Sequence, residues 1–509
     1  MRMNDLNITE AARAIGVAFR RAGLTTSGLA SALGPGPLAA LHRGEPGAVR
    51  WALGARTDGQ AGLIRAFILR DPIAPAELDR LVGTPVVEQL TDVLATEGER
   101  VRLLIDVRPH VIDGVERLVV SDADASMTAH VPGPEHVLGV GAASLSLLGS
   151  TPTSPVDSVL DLGTGSGIQL LGQTRAAASL TAIDVHPRAI ALAEATLAAN
   201  ELDGVELLTG SWFEPVSGRR FDRIVSNPPF VVGLPEVGHV YRDSGLNLDG
   251  ASELVVSSAP GYLVEGGTAH LLAAWIHPTD GSWRQRLASW IPERGVDAWI
   301  LQRDLADPQL YVGTWLKDES LDPRSLESAA RAEAWLNHFA EHDVAGIGFG
   351  FVALRNIGDR PSEVVIEEIP QHFDDPLGPE VEEYFARTAW LRDADRGHIA
   401  DTRFRLRPGV AREEIAVTDE ETGMGFAPAA LRLTRTDGPR FTHEVDEALA
   451  AIVAGLHPDG LPLAEVVGIY AAACGLDDDR AEELLEQAVG AAVDLVRHGF
   501  LIPAELMED

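Results

Sequence analysis

The stretch Val159-Leu160-Asp161-Leu162-Gly163-Thr164-Gly165-Ser166-Gly167 decides the fold: it is an apolar run that breaks into alternating glycines. Two further runs follow it in a fixed order. Leu180-Thr181-Ala182-Ile183-Asp184 ends in a carboxylate, and Phe221-Asp222-Arg223-Ile224-Val225-Ser226-Asn227-Pro228-Pro229-Phe230 ends in Asn-Pro-Pro-Phe. Together they read as three strands of a doubly wound sheet. Each delivers its functional residues at its carboxyl end, where such sheets bind ligands.

Gly163, Gly165 and Gly167 allow positive φ and remove Cβ atoms, so a ligand can approach the backbone closely. Asp184 stands 23 positions after Asp161, a spacing that suits a strand–turn–helix–strand unit whose second strand presents an acid to ribose hydroxyls. A nicotinamide-binding fold makes the same use of an acid. The glycine pattern here is G-x-G-x-G, with Ile168 where the dinucleotide fingerprint wants its third glycine. Asn-Pro-Pro-Phe separates the two readings. Two prolines fix φ twice and remove two donors, and Pro228 pushes Asn227 towards an extended backbone. The result is a rigid strand end that holds an amide and adjacent carbonyls at one spot beside the Phe230 ring. That suits a planar group bearing N–H: acceptors take its hydrogens and the ring covers its face. A plain Pro-Pro turn after an edge strand is the ordinary alternative.

Leu160–Gly167, Ser211-Trp212-Phe213 and Ile224–Phe230 resemble the running pattern of class I S-adenosylmethionine-dependent N-methyltransferases that carry (N/D/S)-P-P-(Y/F). Within these the similarity is greatest to the release-factor glutamine methyltransferases, and it covers roughly residues 130–300. The resemblance implies a Rossmann-like, seven-stranded α/β core and S-adenosyl-L-methionine as cofactor. It implies cofactor contacts from Asp161, Gly163, Thr164, Gly165, Gly167, Asp184, Ser211, Trp212 and Asn227, and an acceptor site made by Asn227, Pro228, Pro229 and Phe230. Ser211 stands where those enzymes usually have Asp, and Phe230 where the glutamine enzymes usually have Tyr; Phe is common in their RNA-modifying relatives.

The chain has 509 residues and a net charge of −35, with Lys317 its single lysine. Its length suits roughly two to four domains. Such acidity disfavours nonspecific binding to nucleic acid, so no DNA partner is expected. Arg219-Arg220 with Arg223 is one candidate for a local basic patch; a solvated loop is the alternative. Cys474 is the lone cysteine, which leaves no disulfide framework, and no H-E-x-x-H spacing occurs, so no metal is expected. No basic segment precedes an apolar run at the amino terminus, and no apolar stretch approaches about 18 residues, which points to a cytoplasmic protein without a membrane span.

Residues 1–125 read as an α-rich, winged-helix-like module: helical patterns at 8–19, 25–33, 35–42, 47–55, 59–70 and 75–83, then a hairpin of 101–107 and 117–121 around Asp113-Gly114. A docking or homodimerisation role is the expectation for it. Residues 126–358 read as the catalytic domain. It opens with a loop holding His130 and His136, each a possible site residue or a surface one, and a helix over 137–148. The loop 231–249, with Arg242 and Asp243, is long enough for a lid. An insertion at 304–344 carries a helix over 326–342 and separates the last two strands, the final one spanning 345–354. Residues 359–509 read as an α+β, winged-helix-like module. It has strands at 363–369, 403–407 and 430–436 and helices at 379–390, 442–454, 463–474 and 480–498. Asp477-Asp478-Asp479 reads as a helix N-cap.

Three functional readings stay open. The first is transfer of a methyl group to a protein amide, glutamine above all. The second is an RNA base N-methyltransferase, and the third a cofactor-binding regulator whose flanks are interaction modules. A small-molecule acceptor is a further alternative.

Overall fold

The computed structural model describes residues 8–128, 133–235, 243–318, 321–371 and 376–507. The chain divides into two compact units, Met1–Leu148 with Thr153–Glu368, and Gly149–Pro152 with Ile369–Asp509.

The first unit is built on one sheet of eight strands: β1 (Val156–Leu162), β2 (Ala177–Asp184), β3 (Glu206–Thr209), β4 (Phe221–Ser226), β5 (Leu263–Pro278), β6 (Arg294–Ala306), β7 (Val344–Pro361) and β8 (Glu363–Glu368). Their order is β3-β2-β1-β4-β5-β7-β6-β8. β1 to β5 run parallel, and β7 is antiparallel to both β5 and β6. This is the expected seven-stranded core with one strand more. Residues 363–368, which the sequence assigns to the carboxy-terminal module, pair in parallel with β6 from Asp297↔Glu363 to Gln302↔Glu368. Val364 and Ile366 alternate onto the core there, and the Trp299 indole donates to Glu367 at 2.7 Å.

The strand order reverses at β1/β4, and the chain after each of those strands carries the glycine loop and Asn-Pro-Pro-Phe. Continuous apolar runs such as Val159–Leu160 and Ile224–Val225 are buried because helices cover both faces of the sheet. The insertion holds two helices, Pro308–Asp318 and Leu326–Glu341, where the sequence shows one.

Residues 8–128 do not stand apart from this unit. Helix Thr9–Arg21 turns Ala11, Ala12, Ile15 and Phe19 into a core shared with Ala195, Ala198 and Ala199 of helix Pro187–Ala199. Its Arg20 donates to the Ala199 carbonyl at 2.9 Å. The hairpin pairs Ile105–Ile112 with Val115–Asp122, and Asp113 and Gly114 both take positive φ at its turn, as a two-residue turn of this twist requires. Val101 and Leu103 belong instead to a separate short ribbon with Leu94–Glu97. The helix expected over 137–148 begins only at Ala142. Val137 is tied to Asp122 through both its N–H (2.9 Å to the carboxylate) and its carbonyl (3.1 Å from the Asp122 N–H). A Cβ on Gly139 would lie 2.8 Å from the Ser121 hydroxyl. These contacts with the hairpin keep 137–141 out of the helix.

In the second unit, helices Glu447–Ala454, Leu463–Ala473 and Asp478–Arg497 follow a three-stranded sheet of Val410–Thr418, Phe426–Arg435 and Thr442–Glu444. The segment 442–444 is therefore strand, and its helix starts after the Asp446 cap. Asp477 caps the last helix by accepting from the Arg480 N–H at 3.0 Å. Glu380 is buried and bonded to Arg387 and Arg435, with Arg407 3.7 Å away. Burial would raise its pKa; the surrounding guanidinium charges outweigh that and hold it below the usual range. No helix of the described residues is long and apolar enough to cross a membrane.

A Cβ built on Gly16 would meet the Ala199 carbonyl oxygen at 2.1 Å. In an isolated helix Ala is favoured over Gly by about 1 kcal/mol. Here the close approach reverses the sign, and Gly16→Ala is expected to cost about 1–3 kcal/mol through overpacking. Urea or thermal unfolding of the variant measures this, and a gain in stability would contradict the docking of that helix.

Candidate active site

The glycine loop is clamped to β2. The N–H groups of Gly163 and Thr164 both donate to the Ile183 carbonyl at 2.9 Å, and Gly163, Gly165 and Gly167 have φ of 78°, 56° and 84°, which L side chains rarely adopt. Asp184 closes the loop from the other side. Its carboxylate accepts from the Gly165 N–H and the His186 N–H, each at 2.9 Å. Burial nevertheless raises its pKa.

Asp161 lies beneath the same loop. One carboxyl oxygen accepts from the Thr164 hydroxyl at 2.7 Å and the Leu170 N–H at 3.1 Å. The other is buried without a hydrogen-bond partner. Burial, with a smaller push from Asp184, raises Asp161 to about 7. Neither acid has an arginine or lysine ion pair among the described residues. A buried and a half-buried carboxyl around the glycine loop, with no arginine or lysine paired to either among the described residues, favour a ligand that brings positive charge.

At the end of β3, Gly210 donates to the Asp184 carbonyl at 3.0 Å. That bond places Ser211 and Trp212, both half-buried, beside the acid strand. Trp212 has φ 48°, a conformation uncommon for a bulky residue and held only where the surroundings fix it; it packs against the core that also receives Leu208 and Tyr262.

Across the switch point, the Ser226 hydroxyl donates to the Leu162 carbonyl at 2.7 Å and ties the end of β4 to β1. The Asn227 side-chain oxygen is buried and meets no donor. Pro228 is buried, while Pro229 and Phe230 are half-buried. The Phe230 ring packs on Phe349 with centroids 5.2 Å apart. Two residues on, the Val232 N–H donates to the Tyr311 hydroxyl at 2.8 Å and the Val232 carbonyl accepts from the Trp335 indole at 3.1 Å. The inserted helices thus satisfy a backbone that leaves the sheet without strand partners.

The fold brings together Asp161, Gly163, Thr164, Gly165, Gly167, Asp184, Ser211, Trp212 and Asn227–Phe230, the residues singled out in sequence, all at the carboxyl ends of β1 to β4. The sequence reading passes over Tyr311, Trp335 and Phe349. Their one signal is the aromatic spacing Tyr311–Trp315 and Trp335–Phe339, four residues apart on helices. His130, Tyr241 and Arg242 lie outside the described residues. His136 lines a hollow of about 710 Å³ with Arg102, Asp122 and Arg188, beside the amino-terminal hairpin and away from Asn227. The basic patch does not form. Arg219 is paired with Glu206 at 2.8 Å, Arg220 donates to the Leu263 carbonyl, and Arg223 is buried against Gln173 and Ser154.

The strand order with its reversed β7, and a glycine loop and Asn-Pro-Pro-Phe either side of the switch point, define a class I methyltransferase architecture. Residues 139–273 match the family described as the methyltransferase small domain. Residues 21–104 and 382–503 match two families described as domains of unknown function. Among curated relatives, the release factor glutamine methyltransferase of Aliivibrio fischeri is 42% identical over 180 residues, 33% of this chain and 61% of that protein. That of Yersinia pestis is 40% identical over 128 residues, 23% of this chain and 46% of the relative. The ribosomal RNA small subunit methyltransferase C of Mannheimia succiniciproducens is 35% identical over 117 residues, 23% and 31% of the two chains. The chain therefore spans less than two thirds of each of these relatives. A solved 16S rRNA N2 G1207 methyltransferase of T. thermophilus aligns at 25% identity over 38% of this chain and 53% of that one, with a TM-score of 0.26.

The raised Asp161 gives two checks. Its folded pKa of about 7 exceeds the ordinary value of about 3.9, so the unfolded chain binds fewer protons between those values. Stability then falls as pH rises from about 4 to 7, by up to about 4 kcal/mol, and Asp161→Asn flattens that slope in unfolding measurements. The ammonium group of S-adenosylhomocysteine should lower this pKa on binding, releasing up to about one proton near pH 6 and almost none at pH 8. Calorimetric titration in two buffers of different ionisation enthalpy measures the release; heats independent of buffer at pH 6 would contradict it.

Proposed function

We propose that this chain is an S-adenosylmethionine-dependent N-methyltransferase acting on a planar amide or exocyclic amine, with a protein glutamine side chain as the acceptor. The cofactor reading rests on the paired acids. Asp161, with one oxygen unpartnered, would receive the amino-acid end of the cofactor. Asp184, whose oxygens have lone pairs left beside their two N–H donors, would take the ribose hydroxyls. Ser211 and Trp212 would border the adenine. When bound, the cofactor supplies an electrophilic methyl on a sulfonium.

The observation that carries the acceptor reading is the buried, unpartnered Asn227 oxygen beside Pro228 and Pro229. An orphaned acceptor costs free energy unless a ligand donor meets it. An acceptor N–H fills that place, and the Pro228 carbonyl takes a second. Both bonds direct the nitrogen lone pair and stabilise the positive charge that grows on nitrogen. Acceleration then comes from positioning and from oriented acceptors. The relatives named glutamine methyltransferases and the net charge of −35 favour a protein acceptor. Phe230 and the ribosomal RNA methyltransferase relatives support an RNA base as the second reading. Residues 8–128, which share a core with the catalytic unit, are read as a docking surface for the acceptor or for a second copy.

The test is methyl transfer from labelled S-adenosylmethionine into fractions of a lysate from a strain lacking the protein. Label should enter the protein fraction, and Asn227→Ala should lower its rate by about 10²–10³ with the melting temperature unchanged. Label in RNA would move the second reading to first place. An unaffected Asn227→Ala variant would defeat both.

A further inference from the structure

The Phe230 ring does not end the acceptor wall. Phe349 of β7 packs on it, and the Arg303 guanidinium of β6 lies 4.9 Å from the Phe349 centroid and 5.8 Å from that of Phe351. Arg303 is fixed at two further points. Its Nη1 donates to the Ser146 hydroxyl at 3.0 Å and its Nε to Asp304 at 2.6 Å. Ser146 lies on helix Ala142–Ser150, whose Ser144 carbonyl accepts from Gln169 just past the glycine loop. The guanidinium thus bridges the helix above the cofactor loop to the aromatic stack of the acceptor motif. It remains one-third exposed, and its Nη2 donates to no protein group among the described residues.

This is more than a surface ion pair. Cation–π contact with two rings and two hydrogen bonds fix the guanidinium, so its free edge is preorganised to donate. Asp304 neutralises part of its charge and is itself 60% exposed. An incoming phosphate would meet the like charge of that carboxylate, a repulsion that a neutral carbonyl avoids. The neighbours in the chain are apolar and exposed: Leu145 beside Ser146, and Leu305 and Leu310 following Arg303, at 53%, 57% and 60%. A cation offering one edge, with exposed leucines along the same stretches of chain, matches the alternation of carbonyls and side chains in an extended peptide.

We propose that Arg303 is a specificity-determining residue that donates from its free edge to a backbone carbonyl of the extended peptide carrying the acceptor amide. This rests on the N-methyltransferase reading with a protein acceptor. Arg303→Ala removes the donor, Arg303→Lys keeps the charge but loses the guanidinium fork, and Asp304→Asn leaves the donor in place.

The experiment measures initial rates of label transfer from S-adenosylmethionine, with the full-length chain, against increasing concentrations of the protein fraction from the deletion strain. Arg303→Ala should raise the half-saturating concentration about tenfold, the scale of one charge-assisted hydrogen bond, with the plateau rate within about twofold. Arg303→Lys should not restore it, and Asp304→Asn should stay within about twofold of wild type. Melting temperature and S-adenosylhomocysteine affinity unchanged in all three variants would show the fold and cofactor site intact. An unchanged half-saturating concentration in Arg303→Ala, a loss confined to the plateau, or full rescue by Arg303→Lys would overturn the role of Arg303. Wild-type label in RNA instead of protein would overturn the peptide occupant, and the underlying acceptor reading with it. Label in protein with no Arg303 effect would overturn this inference alone.

Discussion

Two carboxyls without a counter-cation, Asp161 buried and Asp184 half-buried, set the terms for the candidate site at this end of the sheet. Asp161 and Asp184 are held against the glycine loop by N–H and hydroxyl donors, yet burial pushes both towards the neutral form. A structure that keeps acids in so costly a place has them there for something other than packing. The loop around them takes three positive φ angles, and the rest follows from that geometry. In the proposed reading the loop would hold the cationic cofactor, and the Ser226–Leu162 bond ties the strand that ends in Asn227 to the strand that ends in the loop.

What the sequence makes legible is what depends on local chemistry. Alternating glycines, an acid at a strand end and successive prolines each have one favoured backbone outcome, so β1, β2 and β4 and their terminal residues are readable before any contact is known. The hairpin at Asp113-Gly114 is readable for the same reason. The misses are of another kind. Residues 137–141 have a helix-like apolar pattern, but Val137 finds both of its partners on Asp122, a contact no local pattern encodes. Residues 363–368 read equally well as the first strand of the next module; only pairing with β6 assigns them to the central sheet. Arg219, Arg220 and Arg223 read as a basic patch or as a solvated loop because charge can be counted in sequence, whereas the pairing of Arg219 and the burial of Arg223 that decide against the patch cannot.

The acceptor end shows the same limit most clearly. Asn-Pro-Pro-Phe announces itself, but what holds it in place comes from far along the chain. Tyr311 and Trp335 bond the two faces of one peptide-bearing residue, Val232, and Phe349 backs Phe230. An insertion that reads in sequence as an interruption of the sheet is in the structure a wall of the candidate site. Its aromatic residues form one apolar cluster with Val231, Val232 and Leu248, so the insertion shapes the chain that follows Asn-Pro-Pro-Phe.

The central claim, that this geometry methylates a glutamine side chain, is tested most directly by comparing the inventory of methylated glutamines in the proteomes of wild-type and deletion strains by mass spectrometry. The expected result is at least one glutamine that carries a single methyl group in wild type, loses it in the deletion, and regains it with the wild-type chain but not with Asn227→Ala. Identical methylglutamine inventories in the two strains would contradict the claim.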